Sequence, residues 1–281
     1  MATEQASGTN DVAGFYEGLG QVLNKAWGEN LHYGYWEDDA DDSTVETATA
    51  RLTDLLITAL DPAPGAEVLD IGCGVGKPAL QLVATRSVRV TGIAISEVEV
   101  EQAAQRAAEA GRADVAVFQY ADAMAMPFAD DSFDAAYAIE SMLHMPDRGK
   151  AIAEAARVLR PGGRLAIADT VEIPPVGPEG RRVLDEICAA YHVSAFATAD
   201  EYSELLAANG FVDVEIRDIS DRVARTGVIM ADAVAARRDE LSRLSGPEPV
   251  DQYIDLMRRA AASPDNGYLV LTATLGAAAR S

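Results

Sequence analysis

From residue 68 onward the apolar positions follow two alternating rhythms. Short apolar runs occupy residues 68–71, 88–95, 115–119, 133–138 and 165–168. Runs without polar alternation fit strands covered on both faces. Between them, apolar residues recur at helical spacing over 78–85, 97–110 and 150–159. Pro78 is tolerated in a first helical turn, Gly111 ends the second helix, and Pro161-Gly162-Gly163 stops the third. This strand–helix alternation predicts an α/β fold: a Rossmann-like, parallel, doubly wound sheet with crossover helices. Ahead of it, residues 12–24 and 44–60 read as helices. They flank the aromatic loop Asn30-Leu-His-Tyr-Gly-Tyr-Trp36 and the acidic run 37–42.

After Asp169 the rhythm breaks. Residues 173–178 form a proline-rich loop, and the chain to about 197 reads as an insertion. A helix is expected over 198–209, where Thr198-Ala-Asp-Glu201 has capping-box spacing and Gly210 supplies the stop. A sixth strand follows over 212–216, an Arg-rich helical stretch over 222–262, and a last strand over 267–275. The expected division is 1–60 for N-terminal helices with a covering loop, and 61–281 for the main body. Insertions at about 172–197 and 222–265 are expected to fold together as a lid over the strand ends.

Composition narrows the partners. With 281 residues the chain can bury a large core without staples. Its 23 basic and 45 acidic residues leave a net charge of −22, the wrong sign for neutralising phosphates. Nucleic acid and anionic membrane are therefore not expected as partners, and a small-molecule acceptor is; homo-oligomerisation stays open. No apolar run approaches the ~20 residues of a membrane span, and residues 1–10 lack a signal-peptide pattern. Cys73 and Cys188 are far apart and match no metal spacing. A reduced, cytoplasmic protein is the expectation.

The richest chemistry lies in Val68-Leu-Asp-Ile-Gly-Cys-Gly-Val-Gly-Lys-Pro78. A strand runs into a glycine turn that opens a helix, and Gly72, Gly74 and Gly76 permit close approach of a ligand. The dinucleotide fingerprint G-x-G-x-x-G fails here, because its third position falls on Lys77. Asp70, two residues before the first glycine, suits a ligand carrying an ammonium group rather than a pyrophosphate.

Together with Tyr120-Ala-Asp-Ala123, Pro127-Phe128, Ser132-Phe-Asp134 and Val158-Leu-Arg-Pro-Gly-Gly163, this turn resembles the class I S-adenosylmethionine-dependent methyltransferases over nearly the full length. The resemblance implies a seven-stranded sheet and S-adenosylmethionine as cofactor, leaving as S-adenosylhomocysteine. It places Asp122 against the adenine amine, with Ala123 giving a backbone contact. The acid that the family uses for both ribose hydroxyls is missing, since Ala94 stands there. Glu99 is the candidate replacement with Ser96 assisting; the alternative is an exposed acid at a helix N-terminus.

The 30–36 loop, Gly76-Lys-Pro78, Glu140-Ser141, His144-Met-Pro-Asp-Arg148 and Ala166-Ile-Ala-Asp169 are similar to natural-product tailoring methyltransferases of antibiotic biosynthesis, the rebeccamycin sugar O-methyltransferases among them. That likeness puts Tyr16, Tyr33 and Trp36 over the methionine end of the cofactor, where ring faces suit a sulfonium cation. It implicates Asp169 and His144 in catalysis, with Glu140 lining the pocket or supporting it. The family's first histidine of a pair is Leu143 here. Methylation of a secondary-metabolite hydroxyl is the leading expectation. If Leu143 makes the site greasier, the alternative is carbon methylation of an isoprenoid alkene or prenyl diphosphate, and Mg2+ enters only there. Leu184, Ile187, Tyr191 and Phe196 are candidates for the acceptor pocket or for plain lid packing. Arg181 and Arg182 are candidates for a diphosphate or simply solvated charges. His32 and His192 read as structural.

Overall fold

A computed structural model describes residues 32–38, 40–245 and 247–277. Tyr16 and the helix expected over 12–24 lie outside the described residues. Among the described residues the first helix is α1 (Val45–Leu60), whose N-cap Thr44 accepts a hydrogen bond from the Thr47 amide. It continues through β1 (Glu67–Ile71), α2 (Lys77–Thr85), β2 (Arg89–Ala94), α3 (Glu97–Glu109), β3 (Ala116–Tyr120), β4 (Phe133–Ile139) and a 3-10 turn at Met142–His144. Next come α4 (Arg148–Val158), β5 (Leu159–Glu172), α5 (Pro178–Ala190), α6 (Ala199–Ala208) and β6 (Phe211–Asp218). The chain ends with α7 (Ser220–Val223), α8 (Arg225–Ala236), α9 (Arg238–Ser245), α10 (Pro247–Ala262) and β7 (Asn266–Leu275).

The seven strands form one sheet in the order β3-β2-β1-β4-β5-β7-β6. β1 to β5 pair in parallel, whereas β7 runs antiparallel to both β5 and β6. The sheet is therefore mixed: β1 to β5 are parallel as the strand–helix alternation predicts, and the antiparallel pairing enters with the strands after the rhythm breaks. β7 is buried nearly end to end, and an apolar run buried on both faces carries no record of strand direction.

Two apolar layers sandwich the sheet. On one face α4 and α6 supply Ile152, Val158, Tyr202 and Leu206 against Leu69, Ile71, Leu165 and Leu271. On the other, α1 and α2 bring Leu52, Leu56 and Leu82 against Val68, Val90, Tyr137 and Tyr268. A third core joins α5 to α8, α9 and α10 through Leu184, Ile187, Met230, Val234, Leu241 and Met257. α6 carries the expected capping box between Thr198 and Glu201.

Candidate active site

Three neighbouring strands end side by side, and their loops carry the residues expected to hold the cofactor. The turn after β1 needs glycine at Gly72. Its φ is +81°, and a Cβ there would lie 2.3 Å from the Ser141 Cβ. Ser141 in turn donates from its hydroxyl to the Ile71 carbonyl. The segment after β4 is thus keyed directly into the glycine turn. Gly76, in the left-handed region, caps α2.

Asp70 is 2% exposed and accepts a 2.7 Å hydrogen bond from the Tyr137 hydroxyl. Burial pushes its carboxyl up to about 7, against the opposing effect of the phenol. After β2, Ser96 caps α3 by accepting the Glu99 amide at 3.3 Å. Burial, then the charges of Asp70 and Glu99, raise the Cys73 thiol, which puts the Glu99 carboxylate near the glycine turn. After β3 the Ala121 amide bonds to the Ala94 carbonyl at 3.0 Å, holding this loop beside the end of β2. Asp122 Oδ1 accepts the Met124 amide at 2.8 Å, and Ala123 is buried.

Glu140, immediately after β4, adopts φ +48°, a left-handed conformation that is costly for a residue with a side chain and clusters at functional sites. Its Oε1 accepts the Tyr33 amide at 2.6 Å and the Tyr268 hydroxyl at 2.8 Å. The Tyr33 and Tyr268 rings stack with centroids 5.5 Å apart. Burial pushes the Glu140 carboxyl up to about 8; its two hydrogen bonds pull the other way, and the Asp169 charge adds to the rise. Tyr33 thereby meets Glu140.

Trp36 does not join this group. It is 2% exposed, packs on Gly34 and Ala48, and has the Arg225 guanidinium 6.0 Å from its ring centroid. Its ring anchors the 32–36 loop to the helices instead of presenting a free face.

His144 closes the 3-10 turn. Burial, with the nearby charges of Arg148 and His192, lowers its imidazole to about 3, so it is neutral at physiological pH. Asp169 differs most from expectation. It does not end β5, which runs on to Glu172, and it is 0% exposed. Its Oδ2 accepts the Tyr202 hydroxyl at 2.5 Å and its Oδ1 accepts the Thr170 amide at 3.1 Å. Both of its oxygens are thus engaged and none of its surface is exposed. Leu143 is likewise buried, in the core shared by α5 and α10. Leu184, Ile187 and Phe196 pack in the same core, and Tyr191 pairs with the Tyr253 hydroxyl at 3.3 Å. Arg181 is engaged by Glu172 at 2.6 Å, while Arg182 is exposed. His32 bonds to the Tyr33 carbonyl and to Thr53.

Sequence reading missed Tyr137, Tyr202, Tyr268 and Arg148. The tyrosines carried a usable signal, because a phenol inside an apolar strand or helix face seeks a polar partner when buried.

Comparison with known proteins adds a family. Residues 69–167 match a methyltransferase domain. The chain is 40% identical over 267 residues to the 27-O-demethylrifamycin SV methyltransferase of Amycolatopsis mediterranei, covering 94% of this chain and 96% of that one. It is 41% identical over 214 residues to O-methyltransferase resE of Aspergillus sclerotiorum, covering 76% and 80%. Among solved structures the cyclase SpnF superposes with a TM-score of 0.83 at 32% identity, covering 95% and 96%.

Proposed function

Because the chain belongs to the class I S-adenosylmethionine-dependent methyltransferases, we propose that it methylates a hydroxyl of a small secondary metabolite, with Glu140 receiving the hydroxyl proton. The observation that carries this reading is the setting of Glu140. A half-buried carboxyl near 8 stands one residue from the Ser141–Gly72 contact, with two hydrogen-bond donors holding it. A group titrating close to working pH is suited to proton transfer. The O-methyltransferase names of the relatives support oxygen as the acceptor atom.

The residues fit the cofactor. Asp70 is a buried carboxylate with no basic partner among the described residues, and such a group is stabilised as an anion when a cation arrives. It would hold the methionine ammonium, with the backbone of Gly72, Gly74 and Gly76 closing around it. Glu99 and Ser96 would take the ribose, Asp122 and Ala123 the adenine, and Tyr33 would cover the methionine end. Trp36 would act only as a support of that cover. The bound cofactor supplies an electrophilic methyl carbon on a positively charged sulfur. Glu140 and neutral His144 would orient the acceptor hydroxyl toward that carbon. Transfer of the methyl from sulfur to the hydroxyl oxygen would break the S–C bond as the O–C bond forms, release S-adenosylhomocysteine, and leave the hydroxyl proton on Glu140.

The test is methyl transfer from labelled S-adenosylmethionine to hydroxylated macrolactones and glycosylated aromatics, run beside prenyl diphosphates with and without Mg2+. Label in a hydroxylated acceptor is expected. Glu140→Gln should lower kcat by about 10²–10⁴ while binding of S-adenosylhomocysteine stays within about twofold. Mg2+-dependent label in the diphosphates would transfer the assignment to carbon methylation. Acceptor rearranged without label would match the cyclase relative instead.

A further inference from the structure

Asp169 is a buried carboxylate that the methyl-transfer reading leaves without a task. Four groups from different segments face it. The Tyr202 hydroxyl comes from α6 and the Thr170 amide from β5. The Leu143 backbone amide and the Arg148 charge come from the segment after β4. Arg148 reaches onward, donating to the Leu143 carbonyl at 3.4 Å and to the Ala195 carbonyl. Two residues along, the Ala197 carbonyl accepts the Glu172 amide from the end of β5 at 3.0 Å. The 195–197 strip is therefore tied down on either side of Phe196, whose ring is buried in the same core as Leu143.

These ties converge on the turn that carries His144. We infer that Asp169 is a positioning residue: it fastens the 142–148 segment to β5 and α6 and, through Arg148, draws the 195–197 strip down beside His144. A carboxylate with no accessible surface and both oxygens engaged acts on an acceptor through what it holds. Charge balance fits the assignment, since the nearby Arg148 charge favours the ionised form of Asp169 against the effect of burial. Arg148 and His192 are the basic side chains facing His144, and Glu140 is the second carboxylate sensed from Asp169's pocket. The consequence for catalysis rests on the methyl-transfer reading; the positioning itself does not, and it can be measured with no acceptor present.

The chain has only three histidines, His32, His144 and His192, so a ring-labelled sample gives a spectrum that three His→Gln variants assign. In the wild type the His144 signal should stay in the neutral form down to pH 5. In Asp169→Ala the segment is released to solvent, and His144 should titrate near the ordinary histidine value of about 6.5. His32, buried against Thr53, reports that the fold persists. Asp169→Asn keeps the shape, with Oδ1 still accepting the Thr170 amide and Nδ2 able to donate to the Tyr202 hydroxyl, and should hold His144 close to its wild-type behaviour. Tyr202→Phe should move it part of the way. An unmoved His144 titration in Asp169→Ala, with His32 unchanged, would overturn the inference. If Asp169→Ala does not fold, Tyr202→Phe decides: no shift there rejects the role. A labelled-methyl assay in which Asp169→Asn abolishes turnover without moving His144 would also reject it, restoring Asp169 as the proton acceptor. If that assay finds no acceptor for the wild type, the methyl-transfer reading fails while the histidine result still stands.

Discussion

Asp70 and Asp169 show how differently two carboxylates on adjacent parts of one sheet can be used. Both are enclosed and both are pushed up to about 7 by burial. Asp169 has partners on three sides, whereas Asp70 has a single phenol. Asp70 is thus half-protonated near neutrality until a cation reaches it, and cofactor binding should depend on pH. The affinity for S-adenosylhomocysteine should rise between pH 6 and pH 8, falling by up to about tenfold per unit below 7 as protonation competes. Titration calorimetry at pH 6, 7 and 8 reads this slope. Asp70→Asn should weaken binding and flatten the profile; a wild-type profile that is already flat would take Asp70 out of contact with the ammonium. The candidate role of Asp70 was legible from its offset to the glycines. The role of Asp169 was not, because what engages it is Tyr202, 33 positions away on a helix, and no local pattern announces that pair.

Elements show the same division between what is local and what is not. Thr198 caps the helix that its capping-box spacing suggested, and Thr44 and Ser96 cap the helices that follow them. β5 was read as four residues and spans fourteen. Its first part pairs with β4 around a register shift near the Pro161-Gly162-Gly163 turn, and its last part exists because β7 pairs with it from Asp169↔Leu269 to Glu172↔Asn266. A strand end set by a partner a hundred residues later leaves no trace in the run itself. The 32–36 loop is a sharper case. Its chemistry was read as a cofactor cover, yet its placement depends on backbone ties to distant elements. Gly34 both donates to and accepts from the Thr226 hydroxyl, at 3.2 and 3.4 Å, and the Trp36 amide bonds to the Arg222 carbonyl. Thr226 is fully buried, so Thr226→Val keeps the shape and strands both Gly34 groups. Urea denaturation should report a loss of about 1–3 kcal/mol, and an unchanged midpoint would mean that the loop is held elsewhere.

At the scale of the whole molecule, charge sets a pH dependence that no single residue accounts for. Three carboxyls have raised values in the folded chain: the enclosed Asp70 and Asp169 at about 7 and the half-buried Glu140 at about 8. In the unfolded chain they return to about 4. The folded state therefore binds more protons than the unfolded state across this interval, and stability falls as pH rises through it. Their favourable contribution is complete below about pH 4 and is lost progressively up to pH 7 for the two aspartates and pH 8 for Glu140. The net charge of −22 acts in the same direction, since self-repulsion of the compact state grows as remaining acids ionise. Thermal unfolding should give a higher midpoint at pH 6 than at pH 8.5. Salt separates the two causes, because it screens exposed charges while leaving enclosed ones largely untouched. At high ionic strength the residual pH dependence should remain in the wild type and shrink in Glu140→Gln. S-adenosylhomocysteine should also reduce it, by supplying the cation that Asp70 lacks. If salt alone removes the whole dependence, the enclosed carboxyls are not protonated near neutrality. The case for Glu140 as proton acceptor would then lose its electrostatic basis and keep only its geometry.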